Sequence, residues 1–426
     1  MIFLCFVALA ISAIDRVNLA VAAPSIKNSL GLGDGDMGLL LGAFFWTYAL
    51  LQIPAGRLID GIGARAGLAI AVGGWSLFTI LTGAMRSVPT LLACRLGLGA
   101  GEAAVYPGGA KVIYAWFPRT ERGLASGLFD AGPRVGLAIG LPLVSSIVAA
   151  WGWEASFYVT GLIGLVWLAA WLLLYRDPEH HRSVSIEQLR HLQASRSVAR
   201  DPVLEQEQAI PWLILLRHRT IWGMMIGLFC YNFSNYFFIT WFPTYLMQAK
   251  GLSLAQLGTL GTLPALMSIP GSLFGGWMSD WLLRCGWSLT VARKTCLVGG
   301  LLTASVITLA GLTESVALAL VFLSISYAGL SVTAATAWTL PADVAPSGGQ
   351  VATIGGLQNF ASNLAGIATT AFTGLMLSVS GGSFAVPLMA AGVICLLGAS
   401  AYVFLVGVIE PLRLDQAPHR RAAPPG

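Results

Sequence analysis

Charge is what this sequence lacks. Only 10% of its 426 residues are Asp, Glu, Lys or Arg, while 56% are hydrophobic. A soluble domain carries about 25% charged residues. A water-facing globule is therefore excluded, because this much apolar surface needs lipid as its solvent. Histidine is scarce as well. His180, His181, His191, His218 and His419 all fall in hydrophilic stretches, which excludes a histidine proton relay within the apolar runs. The six cysteines (Cys5, Cys94, Cys230, Cys285, Cys296, Cys395) form no CxxC pair, and all but Cys285 lie in apolar runs. They read as small core hydrophobes rather than a redox or metal centre. No cofactor and no metal is implied.

What is present is apolar sequence in membrane-sized pieces. A span needs about 20 mainly apolar residues. Twelve are expected, at 2–22, 37–59, 67–85, 88–113, 124–149, 154–175, 220–246, 254–276, 295–312, 315–341, 350–378 and 384–408. The expected fold class is an all-α membrane protein with twelve transmembrane helices in two six-helix halves. The halves are 1–175 and 220–409, joined by a charged connector at 176–219 and followed by a tail at 410–426. The first span lacks the basic lead-in of a secretory signal. It opens abruptly at Met1, and the expectation is a native start upstream.

Lys and Arg set the orientation. If the connector is cytoplasmic, the cytoplasmic loops and ends hold Arg57, Arg65, Arg119, Arg122, Arg284, Arg293, Lys294, Arg413, Arg420, Arg421 and the connector arginines. The opposite loops hold only Lys27, Arg86 and Lys250. Both termini are then cytoplasmic, and the net charge of +5 reflects this asymmetry rather than nucleic-acid binding. The halves also echo each other. "GRLIDGIGAR" follows the second span and "GWMSDWLLR" the eighth, so Asp60 and Asp280, with Arg65, are gating candidates.

Several ionised side chains interrupt the spans. A charge at a helix centre costs about 2.5–3.5 kcal/mol on insertion scales, so such residues mark function. They are Asp15 and Arg16 in the first span, Arg95, Glu102 and Lys111 in the fourth, and Asp130 and Arg134 in the fifth. Arg95 and Glu102, seven apart, share one helix face, and the small residues of "LGLGAG" between them admit a neighbouring helix. A structural reading pairs Asp15 with Arg95. The functional reading is a cavity of anion-binding arginines and titratable acids, in which Asp15 and Glu102 carry protons. Asp130 and Arg134 are spaced for an ion pair. Alternatively Arg134 is a second carboxylate-binding group, which admits a dicarboxylate. In the C-terminal half Asn235, Trp338, Gln358, Asn359 and Asn363 either bind hydroxyls or bridge helices.

Twelve spans, a central connector and a repeated loop resemble the major facilitator superfamily. "DRVNLAVAAPSI", "WTYALLQIPAGRLID", "CRLGLGAGEAAVYPGG", "FFITWFPTYLMQAKGL", "WSLTVARK" and "QNFASNLAGI" resemble its anion:cation symporter family. The likeness covers almost the whole chain and is strongest to bacterial sugar-acid transporters of the galactonate, hexuronate and glucarate type. It implies that Asp15 and Glu102 couple protons, with Arg95 linked to the coupling acid. It also implies that Arg16, Asn18, Tyr48, Trp338 and Asn359 line the substrate cavity. Two departures stand out: Ala13 where a tyrosine is expected, and "FDAGPRVG", with Pro133 and Arg134, where a substrate-binding glutamine would sit.

The expected activity is proton-coupled symport of an organic anion, a sugar acid, across the inner membrane, with no enzymatic step. An exchanger or facilitator of another carboxylate, or a transporter-like sensor, is the alternative. Expected partners are the anion, protons and the lipid bilayer, with no nucleic acid and a monomeric protein.

Overall fold

A computed structural model of the chain describes residues 1–118, 121–181, 184–197, 212–346 and 351–412. All regular structure among them is helical. Apolar sequence in lipid must satisfy its own backbone, and the helix does so within one segment. The twelve expected passages are all found. They are α1 (Ile2–Leu30), α2 and α3 (34–62 and 64–84), α4 (Val88–Trp116), α5 (Ala125–Trp151) and α6 (Trp153–Leu174). After the connector come α7 (Arg219–Thr240), α8 (Leu254–Arg284), α9 (Leu289–Leu312), α10 (Val316–Val344), α11 (Val351–Val379) and α12 (Ala385–Phe404). Ten helical stretches among the described residues are long and apolar enough to cross a membrane. The other two passages, α7 and the first part of α2, are diluted by Asn232, Ser234 and Asn235 and by Asp34 and Asp36.

The connector carries a helix, Ile186–Ser197, and a short turn of helix at Trp212–Leu215. Its segment 198–211 and most of the tail lie outside the described residues. Between α2 and α3 there is no true loop. Gly63, at φ 84° and ψ 160°, turns the chain between two otherwise continuous helices, a conformation that favours glycine. Side chains such as Val166, Leu173, Leu273 and Phe404 stand exposed, as lipid-facing positions must.

Five of these helices are interrupted, α8 at Gly261 and α9 at Ser305–Val306 among them. α4 interrupts at Ala103–Ala104, immediately after Glu102. α5 interrupts at Ala131, before Pro133. α10 interrupts at Trp338–Thr339. Broken backbone within the membrane is tolerated where it lines a cavity or is buried in protein.

The halves meet on the side away from the connector. There α2 lies against α11 through glycines. A Cβ on Gly42 would stand 2.5 Å from the Thr370 hydroxyl, and one on Gly38 would stand 2.8 Å from the Thr370 carbonyl. Gly366 faces the Phe45 ring in the same way. α5 meets α8 where Gly258 and Gly261 abut Pro142 and Leu141. Toward the centre Asn359 donates a hydrogen bond to Gln52, and the Phe45 and Tyr236 rings pack at 4.4 Å. On the connector side the ion pairs among the described residues stay within each half.

Candidate substrate and proton site

Four of the charged residues singled out in the sequence, Asp15, Arg16, Arg95 and Glu102, converge at the centre of the N-terminal half. Arg16 of α1 reaches across to α4. Its Nε donates to Glu102 Oε2 at 2.9 Å, and Nη2 lies 2.8 Å from the same oxygen. The guanidinium also rides over two α2 rings, 4.7 Å from the Phe44 centroid and 5.0 Å from that of Tyr48. The rings themselves stack at 5.1 Å. Cation–π contact is worth about 2 kcal/mol where water is excluded, so these rings hold Arg16 while leaving part of its fork free. About 20% of the Arg16 side chain stays accessible, against none of Glu102.

Arg95 and Glu102 share the α4 face that their spacing predicts. The approach of α2 is set by glycine. A Cβ on Gly99 would lie 2.3 Å from the Phe44 carbonyl oxygen. Arg95 is almost fully buried, with its Cζ 5.6 Å from the Phe44 centroid. Its Nε and Nη1 have no hydrogen-bond partner among the described residues. Asp15 is also buried, and neither of its carboxylate oxygens receives a hydrogen bond there. The anticipated Asp15–Arg95 ion pair is therefore absent among the described residues. Glu102 takes Arg16 instead, because neighbouring residues on α1 diverge by about 100° and it is Arg16 that turns toward α4.

Asn18 does not line the opening. It is fully buried, donates to Thr160 at 2.9 Å and accepts from Ser156 at 2.6 Å, so its amide bridges α1 to α6. In the C-terminal half the structure separates the amides by partner. Asn359 is tied to Gln52 across the halves. Gln358 is buried with both amide atoms unpartnered among the described residues, and so is Asn363 Oδ1. Asn235 is half-buried with no hydrogen bond among the described residues, whereas Asn232 and Ser234 bond to Leu228 and Ala391 within their own half. Trp338 stands about half exposed at the α10 break. Arg134 is half-buried on α5. The side chain of Asp130, its anticipated partner, lies outside the description, and no ion pair of Arg134 occurs among the described residues.

The gating candidates lie at the connector-side ends. Lys111 donates to the Ile59 and Asp60 carbonyls and stands 3.5 Å from the Asp60 carboxylate, closing the end of α2. Arg65 donates to the Leu172 carbonyl. Asp280 is exposed and forms no ion pair among the described residues. The corresponding pair in its half joins Arg293 to Asp343 at 2.9 Å, with Arg293 also donating to Ser279. Sequence reasoning passed over Phe44 and Gln52. Their signal was spacing: Phe44, Tyr48 and Gln52 recur every four residues, so all three share the α2 face turned to the site.

Comparison with known proteins agrees with this architecture. The family model of the Major Facilitator Superfamily matches residues 5–370. The chain is 34% identical to the probable galactarate/D-glucarate transporter GarP of Escherichia coli (strain K12), over 96% of this chain and 95% of that one. It is 33% identical to the D-galactonate transporter of Escherichia coli O6:H1, over 95% and 94%. It is 34% identical to the probable sulfoacetate transporter SauU of Cupriavidus necator, over 97% and 94%. Among solved structures, an inward-facing bacterial homologue of the human lysosomal transporter Spinster superposes with a TM-score of 0.77 at 20% identity, covering 96% of both chains. The chain is a multi-pass membrane transporter, not an enzyme, and it belongs to the Major Facilitator Superfamily.

Proposed function

We propose that this protein is a proton-coupled symporter of a sugar acid or a closely related carboxylate. The observation that carries the reading is the Arg16–Glu102 pair. Ionised Glu102 occupies part of the guanidinium fork that a substrate carboxylate would use. Protonating Glu102 removes that competitor and leaves Arg16 a free bidentate donor. Proton and anion then bind together because each makes room for the other, which is the linkage symport requires. Asp15, buried beside Arg16 without a hydrogen-bond donor among the described residues, supplies a second proton site.

Substrate carboxylate rests on Arg16 above Phe44 and Tyr48. Asn235, Trp338, Gln358 and Asn359 supply hydroxyl partners from the other half. Among the described residues no ion pair joins the halves on the connector side. With the connector cytoplasmic, the orientation that the Lys and Arg distribution supports, the site opens to the cytoplasm and both termini lie there. The membrane is the bacterial inner membrane, and one chain suffices, since both halves that flank the site belong to it. The names of the relatives support the substrate kind, and the rocking of two halves around a central site supports the mechanism.

The test is uptake of labelled galactonate and galactarate into proteoliposomes with an imposed pH gradient. Wild-type protein is expected to accumulate substrate only with the outside acidic. Arg16→Lys keeps the charge but loses the fork, and affinity is expected to fall at least about tenfold with insertion intact. Uptake indifferent to the pH gradient would exclude proton coupling, and near-normal affinity in Arg16→Lys would remove the anchor.

A further inference from the structure

Arg134 is a cation that the proton and carboxylate machinery leaves over. It sits on α5 with Leu137 and Leu141, three and seven residues on, so the three share one helix face. Leu137 and Leu141 border a small cavity whose other walls include Val17, Phe238 and Tyr327. That face is thus turned toward the C-terminal half. Tyr327 of α10 lines that cavity with Leu137 and Leu141, and Tyr231 of α7 lies two turns before Phe238 on the same helix face. Neither phenol forms a hydrogen bond among the described residues. Tyr327 is fixed there by stacking on Phe238 at 4.4 Å.

The distance to Arg16 follows from helix register. α5 packs along α1 in parallel, with Gly136 against Ala10 and Gly140 against Ile14. Arg134 therefore lies level with residue 8 of α1, eight residues and about 12 Å on the connector side of Arg16. Side chains on both of these parallel helices lean toward the connector side, so the axial offset between the two guanidinium groups stays near 12 Å. A contact of about 3 Å at each end leaves about 6 Å between the two anionic groups of a bridging ligand. An extended six-carbon diacid spans about that length.

We propose that Arg134 is a second anion-binding position, and that with Arg16 it selects dianionic substrates, the carboxylates of a six-carbon sugar diacid bridging the two. This rests on the substrate role assigned to Arg16 above. A half-buried guanidinium with no ion pair among the described residues is costly in an apolar span, and a second substrate carboxylate offsets that cost where a neutral chain end would not. The Tyr327 hydroxyl, on the wall of the same cavity, supplies a neutral donor from the opposite half.

The experiment is ligand binding to detergent-purified protein at fixed pH, followed by tryptophan fluorescence or calorimetry, so that no proton gradient enters the result. Galactarate, galactonate and sulfoacetate are the probes. The wild type is expected to bind galactarate at least about tenfold more tightly than galactonate, a difference of one charged hydrogen-bonded group. Arg134→Gln is expected to erase this preference while galactonate affinity stays within about threefold. Arg134→Lys is expected to recover part of it, because it restores charge without the fork. Arg134-dependent binding of sulfoacetate tighter than that of galactarate would overturn the six-carbon span, because its two anionic groups stand one methylene apart and cannot bridge a gap of about 6 Å. A galactarate preference that survives Arg134→Gln, or equal weakening of both sugar acids, overturns the proposal. Loss of proton-driven uptake in liposomes alongside an Arg134-dependent preference would instead fault the symport reading and leave this one standing.

Discussion

At the scale of single residues the site is organised by competition for arginine. Arg16 has one acid partner, two aromatic faces and a partly open fork. Arg95 has an aromatic face and two unpartnered nitrogens, and Asp15 has no donor among the described residues. Such an arrangement is poorly satisfied at rest, since unpaired buried charge is costly. That cost is what a bound anion and bound protons relieve. Glu102→Gln mimics the protonated acid permanently. It is expected to bind and exchange substrate while losing accumulation against a gradient, read as counterflow retained with pH-driven uptake abolished. Asp15→Asn is expected to slow exchange as well, because its carboxyl adjoins the anchoring arginine. Full concentrative uptake by Glu102→Gln would remove Glu102 from coupling.

The members of this cluster were legible in the sequence, because a charge inside an apolar run is conspicuous. Their partners were not. Periodicity tells which face a residue occupies, so Arg95 and Glu102 could be placed together on α4. It does not tell which neighbouring helix lies opposite, and so Arg16 rather than Arg95 proved to have the acid. Asn18 shows the same limit. Its polarity was visible, but only the packing of α6 reveals Thr160 and Ser156 as its partners.

At the scale of helices, glycine decides where the halves touch. Gly38, Gly42, Gly366 and Gly374 let α2 and α11 approach until backbone meets backbone, the close contact that small residues permit in membranes. The contact must open when the site turns to the far side. Gly42→Val would drive its added carbons into Thr370, where even a Cβ is too close at 2.5 Å. The substitution is expected to weaken the far-side contact and raise the outward-open population. Cysteine probes at far-side positions of α2 and α11 should label several-fold faster with an impermeant reagent than in the parent. Unchanged labelling would mean that the contact adapts without opening. Helix count and order were readable from hydropathy. The break after Glu102 has a local cause that hydropathy does not show: Pro107 has no N–H for the Ala103 carbonyl, and its ring crowds that carbonyl.

At the scale of the whole molecule the energy source depends on substrate charge. Two buried acids, Asp15 and Glu102, make two protons per cycle the natural stoichiometry. The pH gradient supplies about 1.4 kcal/mol per proton per unit. The membrane potential supplies about 2.3 kcal/mol per elementary charge per 100 mV, but only to net charge moved. Two protons with a monoanion such as galactonate carry one positive charge inward. Two protons with a dianion such as galactarate carry none. The same protein is therefore expected to take up galactonate electrogenically and galactarate electroneutrally. An inside-negative potential of 100 mV, set by potassium and valinomycin at constant pH gradient, should raise the limiting accumulation of galactonate about fifty-fold. That of galactarate should not move. The Arg134 position gives this difference a purpose: the dianion, which the potential repels, is the one whose binding the protein strengthens with a second cation. If both substrates respond equally to the potential, the number of protons is not fixed by Asp15 and Glu102, and a third coupled group must exist.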